Sequence, residues 1–233
     1  GTGRRPPIVT TIHNIHNPRY FSFGGHVLQL CADYVIFESH YERDRMLASG
    51  LAASKSEVIH SGIDTDRFTP RPLDVALAAQ WGIDPAQHRV FGIVARLSEE
   101  KGHNHLVDAF ARVVPQCPNA RLMIVGEGPL LAPVQAQVQA LGLGDRVIFT
   151  GMQREIPRYL SLFDVFVLSS TRESFPLAAR EAMAGGKPVI LPLALRNRSN
   201  RARWPSVIEG FSSTWVAPAL IVQARASFGP TVK

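Results

Sequence analysis

From residue 90 to residue 191 the chain repeats one pattern, a short apolar run rich in β-branched residues followed by a longer segment with apolar positions at helical spacing. The expected strands are 90–95, 121–125, 147–150, 165–168 and 188–191, and the expected helices 103–114, 131–141, 156–163 and 177–184. Strands with no polar face must be covered on both sides, and a helix between successive strands returns each one parallel to the last. The pattern therefore predicts an α/β fold with a doubly wound parallel sheet. In such sheets ligands bind beyond the carboxyl ends of the strands, so the loops leaving those ends are where chemistry is to be sought.

The residues before this repeat read as part of a second, smaller α/β unit. Strands are expected at 8–11, 34–37 and 57–60, with His13 just past the first, and helices at about 25–32 and at 41–47. Ser61-Gly62-Ile63-Asp64, followed by Phe68, Pro70 and Pro72, reads as a turn and linker. We accordingly expect a remnant Rossmann-like unit over 1–64, a Rossmann-like domain over 65–191, and a tail over 192–233. The tail is Ala-, Ser- and Pro-rich, has no clear period, carries the basic run 196–203, and is expected to be disordered. A solvated basic loop is the plain reading of that run.

Composition narrows the classes. At 45% hydrophobic and 19% charged residues, the 233-residue chain can bury a core. A formal charge of +6 and a pI near 9.8 fit an anionic partner, which nucleic acid, an acidic membrane surface and a phosphorylated small molecule would each satisfy. Cys31 and Cys117 both lie in apolar stretches and support neither a disulfide framework nor a clustered zinc site. No apolar run is long enough to span a bilayer and residues 1–7 lack a signal-peptide pattern, so a cytoplasmic protein, soluble or peripheral at the inner face of the membrane, is expected.

Three strand-end loops carry candidate chemistry. In Ala95-Arg96-Leu97-Ser98-Glu99-Glu100-Lys101-Gly102 two cations flank a loop, and a guanidinium fork with an ammonium point charge can hold a diphosphate. Two ordinary surface cations would look the same. In Val125-Gly126-Glu127-Gly128-Pro129, Gly126 and Gly128 let backbone approach a ligand, although a tight strand-to-helix turn requires the same residues. In Glu173-Ser174-Phe175-Pro176-Leu177-Ala178-Ala179-Arg180-Glu181 a helix begins near Pro176. Glu173 and Glu181 could then accept from hydroxyls at two points of an extended ligand, with free N–H groups between them meeting a phosphate.

With these motifs in this order the chain resembles glycosyltransferase family four, the retaining enzymes of GT-B type built from two Rossmann-like domains. The resemblance rests on Gly92 to Gly102, Val125 to Pro129, Glu173 to Glu181 with the Ala-Met-Ala-Gly-Gly-Lys-Pro-Val that follows, and His60-Ser61-Gly62-Ile63-Asp64 with Phe68 and Pro70. It implies transfer of a sugar from a nucleoside diphosphate sugar to an acceptor hydroxyl, the acceptor being a sugar or a lipid-linked group, in bacterial polysaccharide, glycolipid or glycoconjugate synthesis. It also implies that Arg96 and Lys101 hold the diphosphate, that Glu181 takes the ribose, and that Glu173 takes a hydroxyl of the transferred sugar. Ser174, Phe175, Pro176 and Leu177 would line phosphate and sugar, Met152 and Gln153 would meet the base, and His13 would reach across the cleft to the sugar. A plain loop histidine is the alternative for His13. No cofactor or metal is implied; cations and a helix N-terminus would stabilise the leaving diphosphate.

The resemblance weakens at both ends. Only about sixty residues precede the linker, so the family's first strands and acceptor-side glycine loop have no counterpart. After Leu191 the family's small-residue turn gives way to the arginine-rich run, as a shifted reading frame in a GC-rich gene would produce. A sugar-nucleotide-binding protein without turnover is therefore the alternative. A sugar-nucleotide epimerase fits the Arg96 to Lys101 and Glu173 to Glu181 spacings less well. Nucleic-acid binding ranks last, because no aromatic platform accompanies the scattered cations.

Overall fold

A computed structural model describes residues 5–13, 19–171, 173 and 175–191. The expected tail, 192–233, lies outside the described residues. The element order is β1 (Val9–Ile12), α1 (Tyr20–Cys31), β2 (Tyr34–Phe37), α2 (His40–Ala48), β3 (Ser56–Val58), α3 (Val75–Gln80), β4 (Arg89–Val94), α4 (His103–Val113), β5 (Ala120–Val125), α5 (Leu131–Ala140), β6 (Val147–Gly151), α6 (Ile156–Leu162), β7 (Val165–Val167), α7 (Leu177–Ala184) and β8 (Val189–Ile190).

Two sheets result, one of order β1-β2-β3 and one of order β6-β5-β4-β7-β8, and every strand pair in both is parallel. In the larger sheet β5 is almost wholly buried, which is why it reads as an unbroken apolar run. One face packs Leu106, Val107 and Phe110 of α4 and Val134 and Val138 of α5 against the sheet. The other packs Leu77 and Ala78 of α3, Tyr159, Leu160 and Leu162 of α6, and Ala179 and Ala182 of α7. The smaller sheet has its own core of Ala32, Val35, Phe37, Met46 and Leu51.

Local signals explain several element ends. Ser39 caps α2 by accepting from the N–H of Glu42 at 3.3 Å, and its hydroxyl also bonds the Glu42 carboxylate at 3.3 Å, a reciprocal arrangement written as Ser-x-x-Glu. Asp74 caps α3 by accepting from Leu77 N–H at 3.0 Å and holds Arg158 of α6 at 2.7 Å, fastening the connecting segment to the larger sheet's helices. Helix α3 was not expected: its six residues follow two prolines, and its stability comes from docking Leu77 and Ala78 in the core rather than from a long amphipathic repeat. Helix α1 begins at Tyr20, earlier than the stretch around 25–32 that the sequence pattern marks. Among the described residues no helix is long and apolar enough to cross a membrane.

Gly92 shows how closely the larger sheet is covered. A Cβ placed there would overlap the ring of Phe163, itself buried at the end of α6. Gly92→Ala should lower stability by about 1–3 kcal/mol, the cost of overpacking a filled core. Gly62→Ala, with open space around its Cα, should change it by less than about 0.5 kcal/mol. Denaturant midpoints of both variants beside the parent chain check this, and equal losses would contradict the packing described.

Candidate functional site

Strand β4 lies between β5 and β7, so the chain adds strands first to one edge of β4 and then to the other. The helices that follow β4 and β7, α4 and α7, pack on opposite faces of the sheet, so the carboxyl ends of these two strands are its topological switch point, where a ligand crevice is expected. These loops are residues 95–102 and 168–176, the first and third of the segments singled out from sequence.

Backbone and side-chain bonds tie the two loops together. The Thr171 N–H donates to the Glu100 carbonyl at 2.8 Å, and the Ser169 hydroxyl to the Lys101 carbonyl at 2.8 Å. Gly102 turns the chain with φ +62°, and a Cβ there would overlap the Ser169 carbonyl. The turn directs Lys101 back onto Glu173, with Nζ to Oε1 at 2.7 Å. The hydroxyl of the fully buried Ser170 donates to the same oxygen at 2.7 Å. The Glu173 side chain is only 8% exposed, so its charge is held by this cation and this hydroxyl rather than by water. Arg96, on the same loop as Lys101, is exposed; its carbonyl accepts from the Ser98 N–H at 2.9 Å, and its guanidinium makes no hydrogen bond among the described residues.

The glycines after β5 have a structural reason for being glycine. A Cβ on Gly126 would overlap the Ala95 carbonyl, and one on Gly128 the Leu97 carbonyl. The Leu97 N–H donates to the Glu127 carbonyl at 2.9 Å, and the Leu130 N–H to Leu97 at 3.0 Å, so the loop after β5 lies directly on the loop that carries Arg96 and Lys101. The close approach is therefore to protein backbone. Beyond it, Glu127 accepts from the Met152 N–H at 3.3 Å, which binds the loop after β6 into the same stack. Met152 stands out at 73% exposure, whereas the Gln153 side chain turns in to donate to the Thr150 carbonyl at 2.6 Å.

Helix α7 closes the third side. Pro176 occupies the N-cap position without a side-chain cap, one position before the first helical residue, Leu177, which is exposed; Ser174 lies outside the described residues. Glu181 is half-buried, and burial raises its pKa against the opposing fields of Arg67 and Arg180. Burial lowers the Arg180 pKa, opposed by Glu38 and Glu181. Its guanidinium lies 4.1 Å over the Phe175 ring, and Nη1 is buried with no hydrogen-bond partner among the described residues.

The smaller sheet faces this assembly with its own carboxyl strand ends. The His60 ring stacks on Phe175 with centroids 4.6 Å apart and planes 14° off parallel. His13, whose side chain is 72% exposed, meets Glu38 through Nδ1 at 2.9 Å, and the Ser61 hydroxyl donates to the same Glu38 oxygen. Among the described residues no group of three or more His, Cys, Asp or Glu side chains could hold a metal ion. The expectation of a metal-free site must still be set beside the chain's Asp-x-Asp string, Asp64-Thr65-Asp66. Asp64 Oδ1 accepts the N–H groups of Asp66 and Arg67 at 3.1 and 2.9 Å, so this carboxylate is engaged in a turn.

Comparison with known proteins gives this arrangement a family. Residues 2–67 match Glycosyltransferase Family 4, and residues 80–192 match Glycosyl transferases group 1. The chain belongs to glycosyltransferase family 4. It is 34% identical over 149 residues to the 2-deoxystreptamine glucosyltransferase of Streptomyces kanamyceticus, covering 62% of this chain and 38% of that one. It is 32% identical over 169 residues to a GDP-mannose-dependent alpha-(1-6)-phosphatidylinositol monomannoside mannosyltransferase of Mycolicibacterium smegmatis, covering 68% and 44%. The crystal structure of Anabaena HepE in complex with UDP and glucose superposes with a TM-score of 0.71 at 30% identity, covering 80% of this chain and 53% of that one. The fold is thus of GT-B type, and the chain spans about two fifths of the length of these curated relatives.

Within this family 4 chain, motif reading did not reach Glu38, Ser170 or Arg180 as site residues. Glu38 ends the apolar run of β2 and Ser170 is the second polar residue after that of β7, and polar residues at a parallel strand's carboxyl end are the one signal that could have marked them. Arg180 has no local signal, since its importance comes from Phe175 and Glu38 lying near it in space.

His103, the first residue of α4, is fully buried beside the crevice with neither ring nitrogen hydrogen-bonded among the described residues. Burial lowers its pKa to about 4, helped by Lys101 and opposed by Glu100. The folded state therefore keeps the ring neutral where the unfolded chain, at about 6.5, takes up a proton. The stabilisation is complete above the unfolded value and is lost as pH falls from about 6.5 towards 4, by on the order of 3 kcal/mol in total. Denaturant unfolding at pH 7 and pH 5 should show a loss in the parent chain that His103→Leu largely removes. An equal loss in both would mean the ring is protonated as readily folded as unfolded.

Proposed function

We propose that the crevice binds a nucleoside diphosphate sugar and that the enzyme to which this sequence belongs transfers the sugar, with retention at the anomeric carbon, to a sugar or lipid-linked acceptor hydroxyl. The observation that carries this reading is the Lys101–Glu173 pair at the switch point, 2.7 Å apart and largely sheltered from water, on the loop whose exposed Arg96 has a guanidinium unpaired among the described residues. Lys101 and Arg96 hold the diphosphate and stabilise its charge as it leaves, the N-terminus of α7 adds N–H donors from Leu177 onward, and Ser174, Phe175, Pro176 and Leu177 line phosphate and sugar. Glu173 accepts from a hydroxyl of the transferred sugar, Glu181 accepts from the ribose, Met152 and Gln153 meet the base, and His13 reaches the sugar from the smaller sheet. No metal takes part in this reading: fixed cations supply the positive charge. Donor bases differ among the relatives, since HepE was solved with UDP and the mycobacterial enzyme is named for GDP-mannose, so the base is left to experiment. The positive net charge supports a cytoplasmic enzyme in peripheral contact with the inner face of the membrane, where glycolipid or polysaccharide acceptors are met.

Calorimetric titration of the folded chain with UDP, GDP and ADP should reveal binding of one of them. Lys101→Ala and Glu181→Ala should each weaken it at least about tenfold, or about 1.4 kcal/mol. Transfer measured separately distinguishes an active enzyme from a protein that binds donor without turnover. A folded chain that binds none of the three would overturn the reading.

A further inference from the structure

The smaller sheet brings three strand ends to one carboxylate. Glu38 directly follows β2, and its side chain is 12% exposed. Its Oε1 accepts from His13, which follows β1, at 2.9 Å, and from the Ser61 hydroxyl, beyond β3. Its backbone carbonyl meets His60 Nδ1 at 2.7 Å. A carboxylate so sheltered loses several kcal/mol of hydration unless donors and countercharge replace the water. Donors come from the smaller sheet, and countercharge comes from Arg180 on α7, whose guanidinium lies in the field of Glu38 and whose Nη1 has no hydrogen-bond partner among the described residues.

We propose that Glu38 is a positioning residue for His13, holding the imidazole in the Nδ1–H tautomer with Nε2 presented to the cleft as an acceptor for a hydroxyl of the donor sugar. This rests on the reading in which His13 meets that sugar. An ionised carboxylate can only accept, so the nitrogen facing it must carry the proton, and in a neutral ring the other nitrogen then has the lone pair. His13 is 72% exposed, so packing does not fix its ring; the contact with Glu38 does. Arg180 matters because it supplies charge to Glu38 from the other sheet, so the carboxylate does not depend on an imidazolium, which would be a donor at both nitrogens and could not accept at Nε2. Ser61 occupies Glu38 from a second side and keeps the carboxylate from turning away from His13.

The test is made on the whole chain in two readouts. Long-range proton–nitrogen correlation spectra of the imidazoles, with His13 assigned by its loss in His13→Ala, report the tautomer. Titration with UDP and UDP-glucose, or with GDP and GDP-mannose should guanine be the base, reports recognition of the sugar apart from the nucleotide. The parent should show the Nδ1–H form. Glu38→Ala should shift His13 towards Nε2–H and weaken the nucleotide sugar about tenfold relative to the nucleotide alone, with nucleotide affinity unchanged; Glu38→Gln, which keeps an acceptor oxygen and the shape, should lie between the two. His13→Ala should reproduce the loss of sugar discrimination. A His13 that stays Nδ1–H in a folded Glu38→Ala chain, or a sugar-to-nucleotide ratio that moves in His13→Ala and not in Glu38→Ala, overturns the proposal. Failure of the parent to bind either nucleotide would instead count against the donor site, and the tautomer measurement would still decide the role of Glu38.

Discussion

Strand β4 is laid down first in the larger sheet and later strands pair with both its edges, a constraint on which the site depends. Successive right-handed crossovers then put α4 and α5 on one face and α6 and α7 on the other. The switch point falls between β4 and β7, where the chain passes from one helix layer to the other. The sequence places cations in the loop leaving β4 and an acid in the loop leaving β7.

The charges at this switch point are coupled to backbone contact between the two loops. Lys101 and Glu173 come from loops far apart in sequence, and their 2.7 Å contact holds because Thr171, Ser169 and Gly102 lock one loop's backbone onto the other. Removing either charge would leave the other sheltered and uncompensated, a larger loss than the pair's own net contribution. The glycines after β5 act at the next level down: Gly126 and Gly128 allow a third loop to lie against Ala95 and Leu97, so the segment bearing Arg96 and Lys101 is supported from below. Glycines here serve backbone contact within the protein, even though the motif they form is read most readily as a ligand contact.

That difference marks what a sequence can disclose. Doubly covered parallel strands such as β5 are apolar throughout, so their order, type and approximate limits could be read without a structure, and with them the loops where Lys101, Glu173 and Glu181 sit. Helix α3 could not, because six residues after two prolines carry too little periodicity and the docking of Leu77 and Ala78 is a tertiary fact. Glu38 and Arg180 were hidden for a similar reason: a lone acid at a strand end and a lone arginine in a helix acquire meaning only once the Phe175 ring and the His60 ring stack between the two sheets. His103 was read as the plain start of a helix, and nothing local signals that its ring is buried without partners.

Among the described residues the two sheets meet through aromatic stacking and charge rather than through a shared apolar core. Each sheet has its own buried cluster, and the residues between them are His60 against Phe175 and Arg180 opposite Glu38. Stacked rings slide at small cost compared with the separation of interdigitated aliphatic side chains, and a guanidinium can exchange one oxygen partner for another. A contact of this composition joins the smaller sheet's strand ends to the loop and helix that follow β7. The Nη1 of Arg180, buried with no hydrogen-bond partner among the described residues, belongs to a guanidinium that lies in the fields of Glu38 beyond β2 and of Glu181 beside it on α7, so this one cation serves a carboxylate of each unit.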